Sequence, residues 1–116
     1  MSKVLVIDDD AMNLKMAEFM LKKAGYEVLR AASGQEGIDL LKTEGADMVL
    51  LDVNMPEMDG YETLERIRED TSISDVKVFF LTATIDDEVQ KKAEELSVIS
   101  CINKPFKPDE LYSALQ

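Results

Sequence analysis

The sequence predicts an α/β fold in which an open parallel sheet carries helices on both faces. Short apolar runs rich in β-branched residues alternate five times with segments of helical periodicity. The third apolar run, residues 46–51, is interrupted only by Asp47, as expected for a strand covered on both faces. Because repeats, linkers and low-complexity stretches are absent from these 116 residues, we expect one domain, residues 1–116.

The first half of the chain supplies two strands and two helices. Asp10 stands where it can cap the first helix, and Gly25 supplies a stop after the apolar stripe of that helix. Ser33 followed by Glu36 is a capping-box pattern that opens the second helix. The predicted strands are residues 3–7 and 27–31, and the predicted helices are 11–24 and 33–42.

The second half continues the alternation after a loop at residues 53–60. An acidic first turn indicates the fourth helix, and Pro108 can occupy the first turn of a short final helix. That last helix is only about two turns long, which leaves open whether this chain is a free-standing protein or part of a longer one. The predicted strands are residues 46–51, 78–81 and 98–102, and the predicted helices are 61–69, 86–96 and the segment from Pro108 onward.

Polar side chains stand at the ends of four predicted strands. In open parallel sheets the active crevice lies outside the carboxyl ends of the strands. We therefore expect three carboxylates, one hydroxyl and one ammonium to converge at one rim. These groups belong to Asp8, Asp9, Asp52, Thr82 and Lys104.

Composition excludes several classes of chemistry. The chain has no histidine, which removes the commonest general base and the commonest transition-metal ligand. Its net charge is −11 and its basic residues are scattered, so we expect no direct binding to nucleic acid. One cysteine, the absence of a long apolar run and an N-terminus unlike a signal peptide predict a cytoplasmic location away from the membrane.

The converging groups suit phosphoryl transfer to a carboxylate. Clustered carboxylates repel one another unless a cation joins them, and all-oxygen ligation favours a hard divalent ion such as Mg²⁺, Mn²⁺ or Ca²⁺. Aspartate is an established phosphoryl acceptor. Lys104 can neutralise phosphoryl oxygens and Thr82 can donate to one. We read Mg²⁺ as the cofactor and phosphoryl transfer as the reaction.

The sequence resembles the response-regulator receiver domains of two-component signalling over essentially its whole length. The matching stretches are residues 4–10 (VLVIDDD), 49–60 (VLLDVNMPEMDG), 80–83 (FLTA) and 103–106 (NKPF). The resemblance implies a flavodoxin-like, doubly wound sheet of five parallel strands in the order 2-1-3-4-5 with five helices. It also implies a phosphoprotein whose modification switches interactions between proteins.

The resemblance assigns roles residue by residue. Asp52 matches the phosphoacceptor, and Asp9 and Asp52 would ligate Mg²⁺ together with the backbone carbonyl of Asn54. Asp8 would hold a metal-bound water, and Lys104 would contact the phosphoryl group.

Three further positions have matches in the family pattern. The peptide bond between Lys104 and Pro105 is expected to be cis. Thr82 would move toward the phosphoryl group and report its presence. Asn54 and Thr84 match two variable positions that tune dephosphorylation.

The phosphoryl donor must be external. The chain has no phosphate-binding Gly-x-x-x-x-Gly-Lys loop and no histidine to receive a phosphoryl group from ATP. The expected partners are a sensor histidine kinase or a histidine phosphotransfer protein, and then a downstream protein or a fused output domain. We expect the domain to catalyse its own modification and not to act as a metabolic enzyme.

Cys101 departs from the family pattern. The family generally has an aromatic residue three positions before the lysine, and its rotation couples phosphorylation to the output face. A cysteine cannot act as the same bulky rotor, so the switch is weak or the signal leaves by another route. We interpret Cys101 as a small half-buried residue. The departure favours an alternative function as a phosphorelay intermediate or phosphate sink.

Two other functions are weaker matches to the residues. An Mg²⁺-dependent phosphohydrolase with an aspartyl-phosphate intermediate would need a substrate-specificity cap, for which 116 residues leave no room. A flavin carrier would place the phosphate of FMN against three acids.

Overall fold

Five strands alternate with five helices in a computed structural model that describes residues 2–115. The predicted domain, residues 1–116, also includes Met1 and Gln116, which lie outside the described residues. In chain order the elements are β1 Lys3–Ile7, α1 Ala11–Lys23, β2 Glu27–Ala31, α2 Gly34–Thr43, β3 Met48–Asp52, α3 Gly60–Glu69, β4 Lys77–Thr82, α4 Asp87–Glu95, β5 Ser100–Asn103 and α5 Pro108–Leu115.

All five strands form one parallel sheet in the order β2-β1-β3-β4-β5. The predicted fold class and strand order are therefore confirmed. The chain enters the sheet at β1, continues to the edge strand β2 and returns to β3 on the other side of β1. This reversal places the ends of β1 and β3 side by side, which is where such sheets hold their functional residues.

Two apolar cores lie on opposite faces of the sheet because side chains alternate along each strand. On β1, for example, Leu5 and Ile7 enter one core while Val4 and Val6 enter the other. The first core is closed by α2, α3 and α4, and the second by α1 and α5. Burial of each large aliphatic side chain contributes about 1.5–3 kcal/mol to stability. Because the central strands carry such side chains on both faces, helices must cover both faces of the sheet.

The predicted helix caps are present. The Asp10 carboxylate accepts hydrogen bonds from the N–H groups of Met12 and Asn13, at 2.8 and 3.3 Å. The Ser33 hydroxyl accepts the Glu36 N–H at 3.2 Å. The Glu36 carboxylate accepts the N–H of Ala32, at 2.6 Å, one residue earlier than in an ordinary capping box.

Three strands have boundaries that differ from the prediction. The third strand begins at Met48 and not at residue 46, because the Asp47 carboxylate accepts the backbone N–H of Lys3 at 2.8 Å. This strand continues through Asp52, and β4 is one residue longer at each end than predicted. The fifth strand begins at Ser100 because Ser97 takes a φ of 58° and closes the turn after α4.

The methionines differ in burial. Met55, in the loop after β3, is 9% exposed and packs in the core, with Met58 half-buried against that core. Met12 and Met16 on α1 are 62% and 40% exposed. Within residues 2–115 there is no helix whose length and apolar character would let it cross a bilayer.

Candidate functional site

The predicted polar residues meet at the carboxyl edge of the sheet. Asp8 and Asp9 follow β1, Asp52 is the last residue of β3, Thr82 is the last residue of β4, and Lys104 follows β5. One carboxylate oxygen from each of the three aspartates lies within 4.8 Å of the others. They meet because parallel strands end at the same edge.

Lys104 balances part of this negative charge. Its Nζ lies 3.0 Å from Asp52 Oδ1 and 3.3 Å from Asp8 Oδ2. The Asp8 and Asp52 residues are 0% and 1% exposed, so both carboxylates depend on this ammonium and on hydrogen bonds in place of water. The peptide bond between Lys104 and Pro105 is cis, as predicted.

Backbone and side-chain donors complete the environment of the two buried acids. The Asp10 N–H donates to Asp8 Oδ1 at 2.9 Å, and the Asn54 N–H donates to Asp52 Oδ1 at 3.2 Å. Asn13 Nδ2 donates to Asp8 Oδ2 at 3.3 Å. Sequence reasoning missed Asn13. Its position in the first turn of α1, directly after the acidic triplet, was the available signal.

Burial shapes the protonation of the site. Loss of solvation is the largest effect on Asp52 and, with the charge of Asp8, raises the pKa of this carboxyl to about 6 against the opposing effects of Lys104 and Asn54. Burial lowers the pKa of Lys104, but its hydrogen bonds and charge interactions with Asp52 and Asp8 outweigh this effect and leave the pKa raised. Lys104 therefore stays charged, and Asp52 is held in a site that is short of positive charge.

The donor set fits a divalent cation. Three clustered carboxylates face a single ammonium, and their oxygens are the hard ligands that Mg²⁺ prefers. Asp9 is exposed, so the cluster opens to solvent on one side. The backbone of Asn54 lies at the site through its N–H bond to Asp52, and the role of its carbonyl as a ligand stays a prediction.

Thr82 is buried at the edge of the site with its hydroxyl engaged elsewhere. The Oγ1 donates to the Thr84 carbonyl at 2.9 Å and accepts the Thr84 N–H at 3.3 Å. These bonds tie the hydroxyl to the start of the loop before α4. Its predicted contact with a phosphoryl group would require this local turn to open.

A glycine sets the distance between the site and α3. The Gly60 N–H donates to the Val53 carbonyl at 2.9 Å, and a Cβ at Gly60 would collide with the backbone carbonyl of Asp52. Only glycine lets the helix begin so close to the end of β3. The sequence pattern includes Gly60, but the reason for it became evident only from this contact.

Cys101 is a half-buried free thiol, as interpreted from the sequence. It pairs in register with Phe80 on β4 and packs against the same core as that ring. Burial raises the pKa of the thiol, so the neutral form predominates.

This chain belongs to the family of response regulator receiver domains, whose model matches residues 4–116. It is 39% identical over 114 residues to a probable transcriptional regulator, ycf27, of Guillardia theta, covering 98% of this chain and 44% of the relative. It is 35% identical to the transcriptional regulatory protein CrdR of Helicobacter pylori, covering 98% and 53%. The chain thus spans about half the length of the curated relatives it matches.

Solved structures agree with this family assignment. The chemotaxis protein CheY4 of Vibrio cholerae superimposes with a TM-score of 0.95 at 32% identity, covering 100% of this chain and 97% of that one. The N-terminal domain of a response regulator receiver protein from Methanoculleus marisnigri JR1 gives a TM-score of 0.86 at 36% identity, covering 99% and 94%. Two-component signalling is therefore the setting in which this domain acts.

Proposed function

We propose that Asp52 accepts a phosphoryl group from a phosphohistidine of a partner protein and that this modification switches protein–protein interactions. One observation carries the proposal. A buried carboxylate at the switch point of the sheet lies 3.0 Å from a lysine ammonium and within 4.8 Å of two further carboxylates. This arrangement combines a nucleophile with the positive charge that phosphoryl oxygens need.

The transfer can be written with the residues of this chain. An oxygen of ionised Asp52 forms a bond to phosphorus while the bond from phosphorus to the histidine nitrogen breaks, and that nitrogen keeps the electron pair. Lys104, already within hydrogen-bond distance of Asp52, can transfer its donors to the incoming phosphoryl oxygens. Asp8, Asp9, Asp52 and the Asn54 carbonyl would hold Mg²⁺, which neutralises phosphoryl oxygens when bound.

Receiver domains interact with histidine kinases and output domains, and we propose such partners for this chain. A sensor histidine kinase or a histidine phosphotransfer protein would be the donor. A downstream protein or a fused output domain would read the modified state. We place the reaction in the cytoplasm and assign the domain autocatalytic phosphorylation without turnover of a free metabolite.

A second function is favoured by Cys101. Because this half-buried cysteine stands where the family generally has an aromatic residue, the domain could pass its phosphoryl group onward as a relay intermediate or hold it as a sink. A phosphorylated chain mixed with a histidine phosphotransfer protein distinguishes the two functions. Rapid loss of the phosphoryl group to that protein supports the relay, and retention supports the switch.

The proposed function is tested by incubating the chain with acetyl phosphate and Mg²⁺ and measuring its intact mass. A single phosphoryl adduct is expected on the wild type and not on Asp52→Asn. An unchanged wild-type mass, with Mg²⁺ shown to be bound, would overturn the proposal.

A further inference from the structure

Helix α3 connects the candidate site to α4 along one of its faces. Its first residue, Gly60, packs against the backbone of Asp52. Tyr61 and Arg68 are seven residues apart, which is two helical turns, so both project from the same face of α3. Both side chains reach α4 or the turn that follows it.

Tyr61 brings an aromatic ring to the position next to Cys101. Its ring lies 5.6 Å from the Phe80 ring in an edge-on arrangement with an interplanar angle of 70°. Phe80 is the residue that pairs with Cys101 across β4 and β5. An aromatic side chain therefore contacts this part of the core, but it comes from α3 and not from β5.

Lys92 of α4 lies over the same tyrosine. Its Nζ is 5.9 Å from the centre of the Tyr61 ring, close to the outer limit for attraction between a cation and an aromatic face. A small movement of either group would therefore change this contact. Burial, followed by the charges of Glu88, Asp86, Asp59 and Cys101, raises the pKa of Tyr61.

Arg68 holds the C-terminal end of α4, one turn beyond Lys92. Its guanidinium donates to the carbonyls of Leu96 and Ser97, at 2.9 and 3.1 Å, and to those of Ser74 and Val76, at 2.8 and 2.7 Å. The last turn of α4 is thus tied to α3 and to the loop before β4. By contrast, α4 itself buries only two side chains, Val89 and Ala93.

We propose that Tyr61 and Lys92 transmit the phosphorylation state of Asp52 from the start of α3 to α4, in place of the aromatic residue that the family generally carries on β5. This proposal rests on the proposed phosphorylation of Asp52. The β3–α3 loop moves when Asp52 is modified. Tyr61 moves with it because the preceding residue, Gly60, packs directly against the backbone carbonyl of Asp52. Arg68 keeps the backbone after α4 fixed, one turn beyond Lys92, while the contact between Tyr61 and Lys92 changes.

Hydrogen exchange of the α4 amides, measured with and without acetyl phosphate in the presence of Mg²⁺, tests the proposal. Intact mass on the same samples gives the phosphoryl occupancy, so exchange is compared at equal occupancy. In the wild type we expect phosphorylation to change the exchange rates of α4 by about threefold or more. Tyr61→Leu and Lys92→Gln should reduce this response to less than half, whereas Tyr61→Phe, which keeps the ring, should preserve it.

Matched controls separate this route from general effects on the fold. Lys91→Gln makes the same charge change on an exposed neighbour of Lys92, and Tyr26→Leu removes a half-buried tyrosine before β2. Both should keep the wild-type response. Lys92→Gln alters only one partly exposed side chain, so it keeps the test decisive if Tyr61→Leu does not fold.

Each result has a distinct meaning. Full occupancy with an undiminished response in Tyr61→Leu or Lys92→Gln would overturn the transmission route and leave the proposed function intact. Full phosphoryl occupancy of the wild type without any change in the hydrogen exchange of α4 would also overturn the route and leave the proposed function intact. An absent adduct on the wild type would overturn the proposed function and the route together.

Discussion

At the scale of single residues, burial and the charge of Lys104 have opposite effects on the pKa of Asp52. Asp52 and Asp8 are buried together, and among residues 2–115 only Lys104 supplies a positive charge within ion-pair distance of both. Burial opposes the ionised form of Asp52, yet ionisation is what makes the carboxylate a nucleophile. A bound divalent cation would resolve this conflict by favouring the ionised form. The proposed metal binding would therefore also favour the proposed transfer of a phosphoryl group to Asp52.

The raised pKa of Asp52, about 6, predicts a pH-dependent stability. Because this value lies above the ordinary 3.8, the folded state holds the proton more tightly than the unfolded state. The resulting stabilisation is fully present below the ordinary value and is lost as pH rises through about 6. In the absence of divalent cations at about pH 7.5, Asp52→Asn should raise the free energy of unfolding by about 1–2 kcal/mol.

Urea unfolding of both proteins at about pH 4.5 and about pH 7.5 checks this prediction. The stability advantage of Asp52→Asn should shrink at the lower pH, where the wild-type carboxyl keeps its proton. Titrating groups that do not interact with Asp52 cancel in the difference between the two proteins. A difference that is constant between the two pH values would contradict the raised pKa.

At the scale of elements, Arg68 ties α3, a helix of only ten residues, to two neighbouring segments of backbone. Arg68 satisfies four backbone carbonyls from the loop before β4 and the turn after α4. Burial lowers the pKa of its guanidinium, although the group remains charged. Hydrogen bonds from a charged donor are stronger than those between neutral groups.

We predict that Arg68→Lys lowers the free energy of unfolding by about 2–3 kcal/mol, because an ammonium lacks the fork that reaches all four carbonyls. Urea unfolding provides the measurement. Arg66→Lys is the matched control on the same helix, since Arg66 makes only an exposed pair with Glu62 at 2.9 Å. That variant should change stability by less than about 0.5 kcal/mol. Equal effects of the two substitutions would rule out the structural role of Arg68.

Helix α1 presents exposed apolar side chains beside the site. Met12, Met16 and Phe19 are 62%, 40% and 69% exposed, and α1 begins directly after the acidic triplet. A partner that delivers a phosphoryl group to Asp52 must approach this edge of the sheet. We therefore expect the apolar face of α1 to contact the histidine-bearing donor.

Phe19→Asp should lower the rate of phosphoryl transfer from a histidine kinase that phosphorylates the wild type by about tenfold, as expected from loss of apolar burial at the contact. The rate with acetyl phosphate should be unchanged, because this donor needs no docking surface. Ile99→Asp is the control, since Ile99 is 53% exposed at the opposite end of the sheet. Equal transfer rates for Phe19→Asp and the wild type would exclude α1 from the contact.

At the scale of the whole molecule, the sequence was sufficient for the architecture. Alternating runs and caps such as Ser33 predicted all ten elements, because burial on two faces leaves a strong local pattern. The boundaries at Met48 and Ser100 were missed. The start of β3 depends on a hydrogen bond between Asp47 and Lys3, which are far apart in the sequence. The start of β5 depends on the positive φ of one residue, Ser97, for which the sequence carries no signal.

For the site, the sequence predicted which residues come together but not how every side chain is oriented. Residues at strand ends were expected to converge because parallel strands share an edge, and the structure places them together. Asn13 and the engaged hydroxyl of Thr82 were missed, because side-chain orientation depends on packing. The burial of Met55 could not be predicted for the same reason, since it depends on residues 53–60 folding back onto the core.

The central claim is that Asp52, and not one of its acidic neighbours, carries the phosphoryl group. The most direct measurement is to treat the chain with acetyl phosphate and Mg²⁺, reduce the acyl phosphate with borohydride, and sequence the peptides by mass spectrometry. Reduction releases phosphate and converts the modified aspartate to homoserine. We predict homoserine at position 52, with Asp8 and Asp9 unchanged. Homoserine at position 8 or 9, with Asp52 intact, would contradict the claim.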